Sequence, residues 1–283
     1  YSRLNDSFHG TKVTLKNVIN NKFFTYTFDQ LKFVLLTRTA LGNTRNIWNG
    51  DKQLIINLTY IDQNNEKYSE ILSNKYQYVI SNLNEHHIID LDDFVEFASK
   101  PDRSDLDKRR KLADKIIYKT GKFIHPTDNR EIKYFACFVP KRSTWSDLSV
   151  IDNLITKEQL ESEDYLENYG YIRYQEGITV SVKGMPTGIA IEHPSTGYAG
   201  YWSNIFIIFE DRMAKFDIGR KSLPGPLNRI YRKYSKEIFN EFLKYVTKYV
   251  SGEIHYDIDW DKDETFAEIN SIIDLNSDKI SFQ

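Results

Sequence analysis

Several features that mark other protein classes are scarce or missing in this 283-residue chain. Cysteine occurs once, at Cys137, so no intrachain disulfide can form and a reducing, cytoplasmic compartment is expected. Cys137 stands in an apolar run, which predicts a buried structural thiol. No stretch approaches the roughly 18 apolar residues of a membrane span, and no signal peptide is visible. The formal net charge of -2 gives no overall attraction to nucleic acid or to an anionic membrane, so no membrane partner is expected.

The most informative stretch that is present is residues 217–226, with the sequence DIGRKSLPGP. It follows an apolar, β-branched and aromatic run at 204–210, which predicts a buried strand. From Leu227 onward apolar residues recur every three or four positions, which predicts a long amphipathic helix. Lys221 therefore precedes a helix N-terminus, where backbone N–H groups and the helix dipole favour an anion. We expect Lys221 to contact a phosphate, although a solvated loop cation is the simpler alternative for an isolated lysine.

A second motif lies near the start of the chain, where Gly10-Thr11-Lys12-Val13-x-Leu15 reads as a glycine turn followed by an alternating strand. This motif and the later lysine loop, in this order, resemble the GHKL ATPases, which include gyrase B subunits, MutL, ninety-kilodalton heat-shock chaperones and MORC proteins. The resemblance implies that Gly10 and Thr11 close a Bergerat ATP-binding domain and that Lys221 reaches the γ-phosphate from a transducer domain. Residues 33–45 and 177–188 also resemble segments of bacterial MORC-like ATPases.

Other nucleotide-binding elements of that family are missing from the sequence. The Bergerat fold also uses a helix with a glutamate and an asparagine, an aspartate turn for adenine and a glycine-rich lid, and no such set is found. We therefore expect residues 1–16 to be the C-terminal edge of the ATP-binding domain, 17–252 the transducer domain and 253–283 an acidic linker toward a following domain. The resemblance implies ATP and Mg²⁺ as cofactors of the full-length enzyme. The fragment alone is expected to bind neither and not to hydrolyse ATP, because positioning and metal-assisted charge neutralisation do most of the work in phosphoryl transfer.

The pattern of elements predicts an α+β fold with a mixed or antiparallel sheet, helices on one face and a long C-terminal helix. The resemblance implies that this is the ribosomal-protein-like transducer fold. An apolar run at 133–139 predicts a central strand. A strand at 53–61 is expected to pair with a second strand at 75–80.

A basic run suggests an alternative function. It lies on a helix that the pattern predicts to begin at Ser104, to use Ile116 and Ile117 as apolar positions and to end at Gly121. The run consists of Lys108, Arg109, Arg110 and Lys111. Such runs are typically solvated helix faces, but further lysines and arginines nearby concentrate positive charge here. The alternative to a transducer is therefore a nucleic-acid or protein interaction module, with DNA contacted by this helix.

The GHKL resemblance also implies partners. They are the protein's own N-terminal ATPase domain and a second copy of the protein in an ATP-gated homodimer. By analogy with bacterial relatives, DNA-directed genome defence is the expected setting.

Two other chemistries find weaker support in the sequence. Asp102 with Glu131-Ile-Lys133 imitates the spacing of PD-(D/E)xK nucleases, but Asp102 precedes a predicted helix, whereas that chemistry needs acidic groups on adjacent strand ends. His86 and His87 are adjacent and point in different directions, which disfavours a shared metal ion. No metal ligand is predicted.

Overall fold

The structure of the chain is a computed structural model, which describes residues 26–48, 54–61, 64–194, 199–215 and 223–250. The α-helices are α1 (Phe28–Arg38), α2 (Leu91–Ser99), α3 (Asp105–Leu112), α4 (Ser143–Ile151), α5 (Lys157–Leu160), α6 (Glu163–Tyr169) and α7 (Gly225–Val246). The strands are β1 (Ile55–Ile61), β2 (Lys67–Ser73), β3 (Ile88–Asp90), β4 (Ile116–Ile124), β5 (Glu131–Phe138), β6 (Gly177–Val182), β7 (Met185–Ile191) and β8 (Ile205–Glu210). Short 3-10 helices cover Thr44–Ile47 and Ala199–Asn204.

The main sheet has six strands in the order β3-β4-β5-β8-β6-β7. It is mixed, because β3 runs parallel to β4 and β6 runs parallel to β8, while the other neighbours are antiparallel. Lys133 at the start of β5 pairs with Glu210 at the end of β8, so the end of β8 lies beside the β4–β5 hairpin. The prediction of an α+β fold with a mixed sheet and a long C-terminal helix is confirmed.

One face of the sheet is covered by α7 and α2. Phe239 and Phe242 of α7 are fully buried in this core, and the ring of Phe239 stacks on that of Trp202 with 4.0 Å between centroids. Burial of a phenylalanine side chain contributes about 1.5–3 kcal/mol to the stability of the fold. The apolar stripe of α7 therefore holds the helix on this face of the sheet. Lys119 of β4 also connects the two helices to the sheet by ion pairs, because its ammonium group pairs with both Asp92 of α2 and Glu241 of α7.

The opposite face has a core of its own. Phe33 of α1 and Trp145 of α4 pack there with Phe135 and Cys137 of β5. Alternate residues of β5 thus face the two cores, as the two-residue period of a strand requires. The sequence predicts helices on one face, and the structure adds α1 and α4 on the other. The prediction that Cys137 is buried is confirmed.

Two predicted elements are wrong. The helix that begins at Ser104 ends at Leu112 rather than at Gly121, because Asp114 has a positive φ of 53° and the β-branched residues Ile116 and Ile117 enter β4. The strand that pairs with β1 is β2 and not residues 75–80, because β2 follows β1 after only a short connection. Among the described helices, none is long and apolar enough to cross a membrane.

Candidate functional site

The predicted nucleotide contacts Gly10, Thr11 and Lys221 lie outside the described residues, as do 1–16 and 253–283. The structure does describe both ends of the loop that contains Lys221. Ala214 precedes this loop and Leu223 follows it, and both side chains are buried in the core beneath α7. The two ends of the loop are therefore anchored in the same hydrophobic cluster, one after β8 and the other before α7.

A buried carboxylate lies at the end of β8, just before this loop. The side chain of Glu210 is 4% exposed, and the hydroxyl groups of Thr44 and Ser181 donate to it, the first at 3.1 Å. The backbone N–H of Gly184 lies 3.0 and 3.2 Å from its two oxygens, and Arg45 Nε lies 4.0 Å from Oε1. Buried carboxylates require such donors, because an unpaired charge in the protein interior is strongly unfavourable. We call Glu210, Thr44, Ser181 and Gly184 the Glu210 cluster.

The Glu210 cluster brings together two distant chain segments. The Thr44 N–H donates to the Gly184 carbonyl oxygen at 2.9 Å, and the hydroxyls of Thr44 and Ser181 are 2.7 Å apart. Gly184 has a φ of 85°, and a Cβ at this position would lie 2.3 Å from Asn43 Oδ1, so only glycine fits the turn. Residues 33–45 and 177–188, which are far apart in the sequence, thus meet at the end of β8.

The next residue, Asp211, makes a second set of bonds on the α7 side of the sheet. Its carboxylate accepts two parallel hydrogen bonds from Arg130, both of 2.9 Å, and a third of 2.7 Å from the Tyr231 hydroxyl. The Met213 N–H donates a fourth at 2.9 Å. We call Arg130, Asp211 and Tyr231 the Asp211 network. It joins the β4–β5 hairpin, the end of β8 and the second turn of α7 through a carboxylate that is fully buried.

The Asp211 carboxylate and the Arg130 guanidinium remain charged at neutral pH. Burial by itself would raise the pKa of Asp211, but the hydrogen bonds from Arg130 and Tyr231 outweigh burial and hold this pKa below its usual range. The bond to Asp211 raises the pKa of the Arg130 guanidinium, and burial raises the pKa of the Tyr231 hydroxyl. Asp211 is therefore ionised and Tyr231 is a neutral donor at neutral pH.

The two adjacent carboxylates are held by separate sets of donors. Because successive residues of a strand face opposite sides, Glu210 holds the loops next to α1 and β6 while Asp211 holds α7. In the described ranges, no group of three or more histidine, cysteine, aspartate or glutamate residues is arranged to hold a metal ion. The end of β8 is thus bonded on one side to the segments that contain Thr44 and Gly184 and on the other side to α7.

The basic run on α3 divides into side chains with and without a carboxylate partner. Lys108 is 17% exposed, lies 3.9 Å from Asp105 and is positioned over the ring of Tyr249. Arg109, Arg110 and Lys111 are exposed and form no ion pair within the described part of the chain, although Lys111 lies over the ring of Phe97. The accessible positive charge of this surface thus comes from three consecutive residues at the end of α3, not four.

Neighbouring lysines that were expected to strengthen this basic surface are partly neutralised. Lys122 pairs with Glu131 at 2.8 Å, and Lys119 is held by Asp92 and Glu241. Glu131 therefore has a lysine partner on the adjacent strand, and Asp102 lies 3.8 Å from Arg103 in the turn before α3. These contacts give the nuclease interpretation no support.

The histidine pair is exposed in a turn before β3. The His87 Nδ1 atom is 2.8 Å from Asn84 Oδ1, and the His86 N–H donates to the same oxygen at 3.0 Å. These bonds shape the turn and leave the two histidines at the surface.

Neither the Glu210 cluster nor the Asp211 network is predicted from the sequence. One signal for them is present, since two acidic residues stand directly after the apolar run of β8. Their partners Thr44, Arg130 and Ser181 come from distant positions and carry no local pattern.

No protein family model matches the chain, and a comparison with curated proteins found no significant match.

Proposed function

We propose that the chain is the transducer region of a GHKL-type ATPase of the MORC-like kind, which senses the γ-phosphate of ATP through Lys221. One observation carries this proposal. Residues 33–45 and 177–188, which resemble segments of MORC-like ATPases, meet in the Glu210 cluster at the strand end that leads into the Lys221 loop. Segments that resemble one family and converge beside the sensing loop are expected if the resemblance reflects a shared transducer.

The Asp211 network supports the coupling step of the proposal. Asp211 directly follows β8, and Tyr231 lies on α7 beyond the loop, yet a hydrogen bond of 2.7 Å joins the two side chains. Because this bond joins the two stems of the loop, a displacement of the stem after β8 is passed directly to α7. Closely packed interiors are bistable rather than continuously deformable, so such a shift is passed on as movement of the whole helix.

In this proposal the chain's own residues sense charge rather than perform chemistry. Lys221 places a cation beside the terminal phosphoryl group, and Thr11 and Gly10 help to close the pocket. ATP and Mg²⁺ are held by an upstream ATP-binding module, which supplies the water activation and metal binding of hydrolysis. Release of Lys221 after hydrolysis lets α7 return, and this movement gates homodimerisation, with DNA-directed defence as the proposed setting.

The experiment is ATP turnover in the protein that includes the upstream module. Removal of one preorganised electrostatic donor typically lowers kcat by about 10²–10³-fold, so Lys221→Ala is expected to fall in that range. Lys215→Ala is the matched control, because Lys215 is an exposed lysine at the other end of the same loop. Wild-type turnover in Lys221→Ala, or an equal reduction in Lys215→Ala, contradicts the proposal.

A second candidate function, binding of DNA by α3, is favoured by the three exposed cations Arg109, Arg110 and Lys111. Each phosphate that the protein neutralises adds about 0.9 to the steepness of log K against log salt, so changing all three residues to glutamine is expected to reduce the slope by about 2–3. The control is Lys108→Gln, because Lys108 is already held by Asp105 and Tyr249. An unchanged slope in the triple variant excludes this surface as a DNA-binding site.

A further inference from the structure

A cavity of about 170 Å³ lies on the α1 side of the sheet. Its walls are the end of α1, the segment 76–79, the segment 173–178, β6 and the edge strand β7. Phe33, Tyr76 and Tyr174 supply aromatic surface, with Phe33 and Tyr174 edge to face at 5.4 Å. None of the residues that line the cavity belongs to α3 or to the Asp211 network.

The hydroxyl of Tyr76 lines this cavity and has no protein partner among the described residues. Tyr76 is 6% exposed, and in the described structure its hydroxyl makes no hydrogen bond. Other buried tyrosine hydroxyls of the chain do have acceptors, such as Tyr174 with Asp152 at 2.7 Å and Tyr231 with Asp211. The Tyr76 hydroxyl is therefore available to donate to a group bound in the cavity.

Two arginines at the same cavity also have unused donors. Arg38 makes no ion pair or hydrogen bond among the described residues and lies against Gly188, where a Cβ would be 3.7 Å from its Nη1. Arg173 donates from Nε to the Gly170 carbonyl oxygen at 3.1 Å, which leaves its terminal amino groups without an acceptor in the described ranges. Glu176 is the one acidic residue in the lining, and it is exposed. The cavity therefore carries an excess of positive charge.

We propose that this cavity binds a small aromatic anion, a carboxylate or phosphate attached to one ring. Arg38 and Arg173 contact the anionic group, because guanidinium groups match the oxygen geometry of carboxylate and phosphate. The Tyr76 hydroxyl donates a hydrogen bond to the same anionic group, and the ring of the ligand lies against Phe33 and Tyr174. The size agrees with one ring, since an apolar cavity of about 150 Å³ accommodates benzene.

The test uses ligand-observed NMR on the 283-residue chain, with phenyl phosphate and benzoate as probes and phenol as the neutral match. At least one of the two anions is expected to bind about tenfold or more tightly than phenol. Arg38→Gln is expected to weaken that anion about tenfold or more, and Tyr76→Phe, which keeps the ring, severalfold, while phenol is unaffected. Arg109→Gln is the control, because it removes an exposed arginine on α3, and no residue of α3 lines the cavity.

Three results overturn the proposal. One is that phenol binds as tightly as both anions, which removes the role of charge. Another is that Arg38→Gln and Tyr76→Phe bind the anion like the wild-type chain while remaining folded by circular dichroism. The third is that Arg109→Gln abolishes anion binding instead, which assigns binding to α3.

Discussion

Replacement of Arg130 by alanine tests the Asp211 network most severely. The change removes two of the four hydrogen bonds to Asp211 and leaves a fully buried carboxylate with only the Tyr231 hydroxyl and the Met213 N–H as donors. Breaking a buried ion pair from one side costs about 3–5 kcal/mol. Because two donors remain, we expect the lower end of this range, about 3 kcal/mol of unfolding free energy.

The assay is equilibrium urea denaturation of Arg130→Ala beside Arg142→Ala. Arg142 is exposed and its side chain makes one hydrogen bond, of 2.7 Å, to the Gly200 carbonyl oxygen, so removal of the side chain is expected to cost under about 1 kcal/mol. Tyr231→Phe completes the set and should cost about 1.5–3 kcal/mol, because it removes a hydrogen bond to a charged acceptor. If Arg130→Ala and Arg142→Ala are destabilised by the same small amount, Asp211 is not held as described and the coupling argument fails.

Three further measurements test individual residues. The lowered pKa of Asp211 stabilises the fold above its unfolded pKa of about 3.9, and this contribution disappears as the pH falls through the lower folded pKa. Asp211→Asn should therefore lose less stability than the wild type between about pH 4 and 2 in thermal melts, and an identical acid profile would contradict the assignment. Phe239→Ala should cost about 3–5 kcal/mol in urea denaturation because it empties a buried site stacked on Trp202, whereas the exposed Lys236→Ala should change little. Comparable destabilisation by these two changes would mean that α7 is not packed on the sheet. Cys137 should react with a thiol reagent far more slowly in the native protein than in urea, because burial excludes the reagent and raises the pKa of the thiol, and fast native labelling would refute its placement in β5.

Much of the fold follows from local sequence pattern. The continuous apolar runs of β5 and β8 predict buried strands, and these strands do pair with each other in the middle of the sheet. The spacing of apolar residues from Leu227 predicts a helix here, and Pro224 and Pro226 predict its start within a few residues. These elements can be predicted from their own residues alone.

Elsewhere tertiary pairing overrides a local pattern. Ile116 and Ile117 fit the apolar spacing of a helix begun at Ser104, but β4 pairs with both β3 and β5, and a left-handed Asp114 separates it from α3. The sequence predicts an apolar segment as the partner of β1, although the true partner β2 is mostly polar and exposed. Hydrophobic pattern alone does not predict the pairing in a separate two-stranded hairpin of this kind.

The site is the least predictable part, for a geometric reason. A lysine in a loop before a helix can be noticed in sequence, whereas a buried carboxylate is defined by donors from remote positions. Thr44 and Ser181 are 137 residues apart, and Arg130 and Asp211 are 81 residues apart. Only the assembled sheet shows that residues 33–45 and 177–188 meet.

The central claim is that Lys221 recognises the terminal phosphate of ATP, and the most direct test is nucleotide affinity rather than turnover. In a protein that includes the proposed upstream ATP-binding module, Lys221→Met should weaken binding of a non-hydrolysable ATP analogue by about tenfold or more, because hydrogen bonds to charged groups contribute about 1.5–3 kcal/mol, while ADP affinity stays unchanged. The ratio of the two dissociation constants, measured by calorimetry, reports the γ-phosphate interaction alone. An unchanged ratio, with both nucleotides bound as by the wild type or both weakened equally, would contradict the claim.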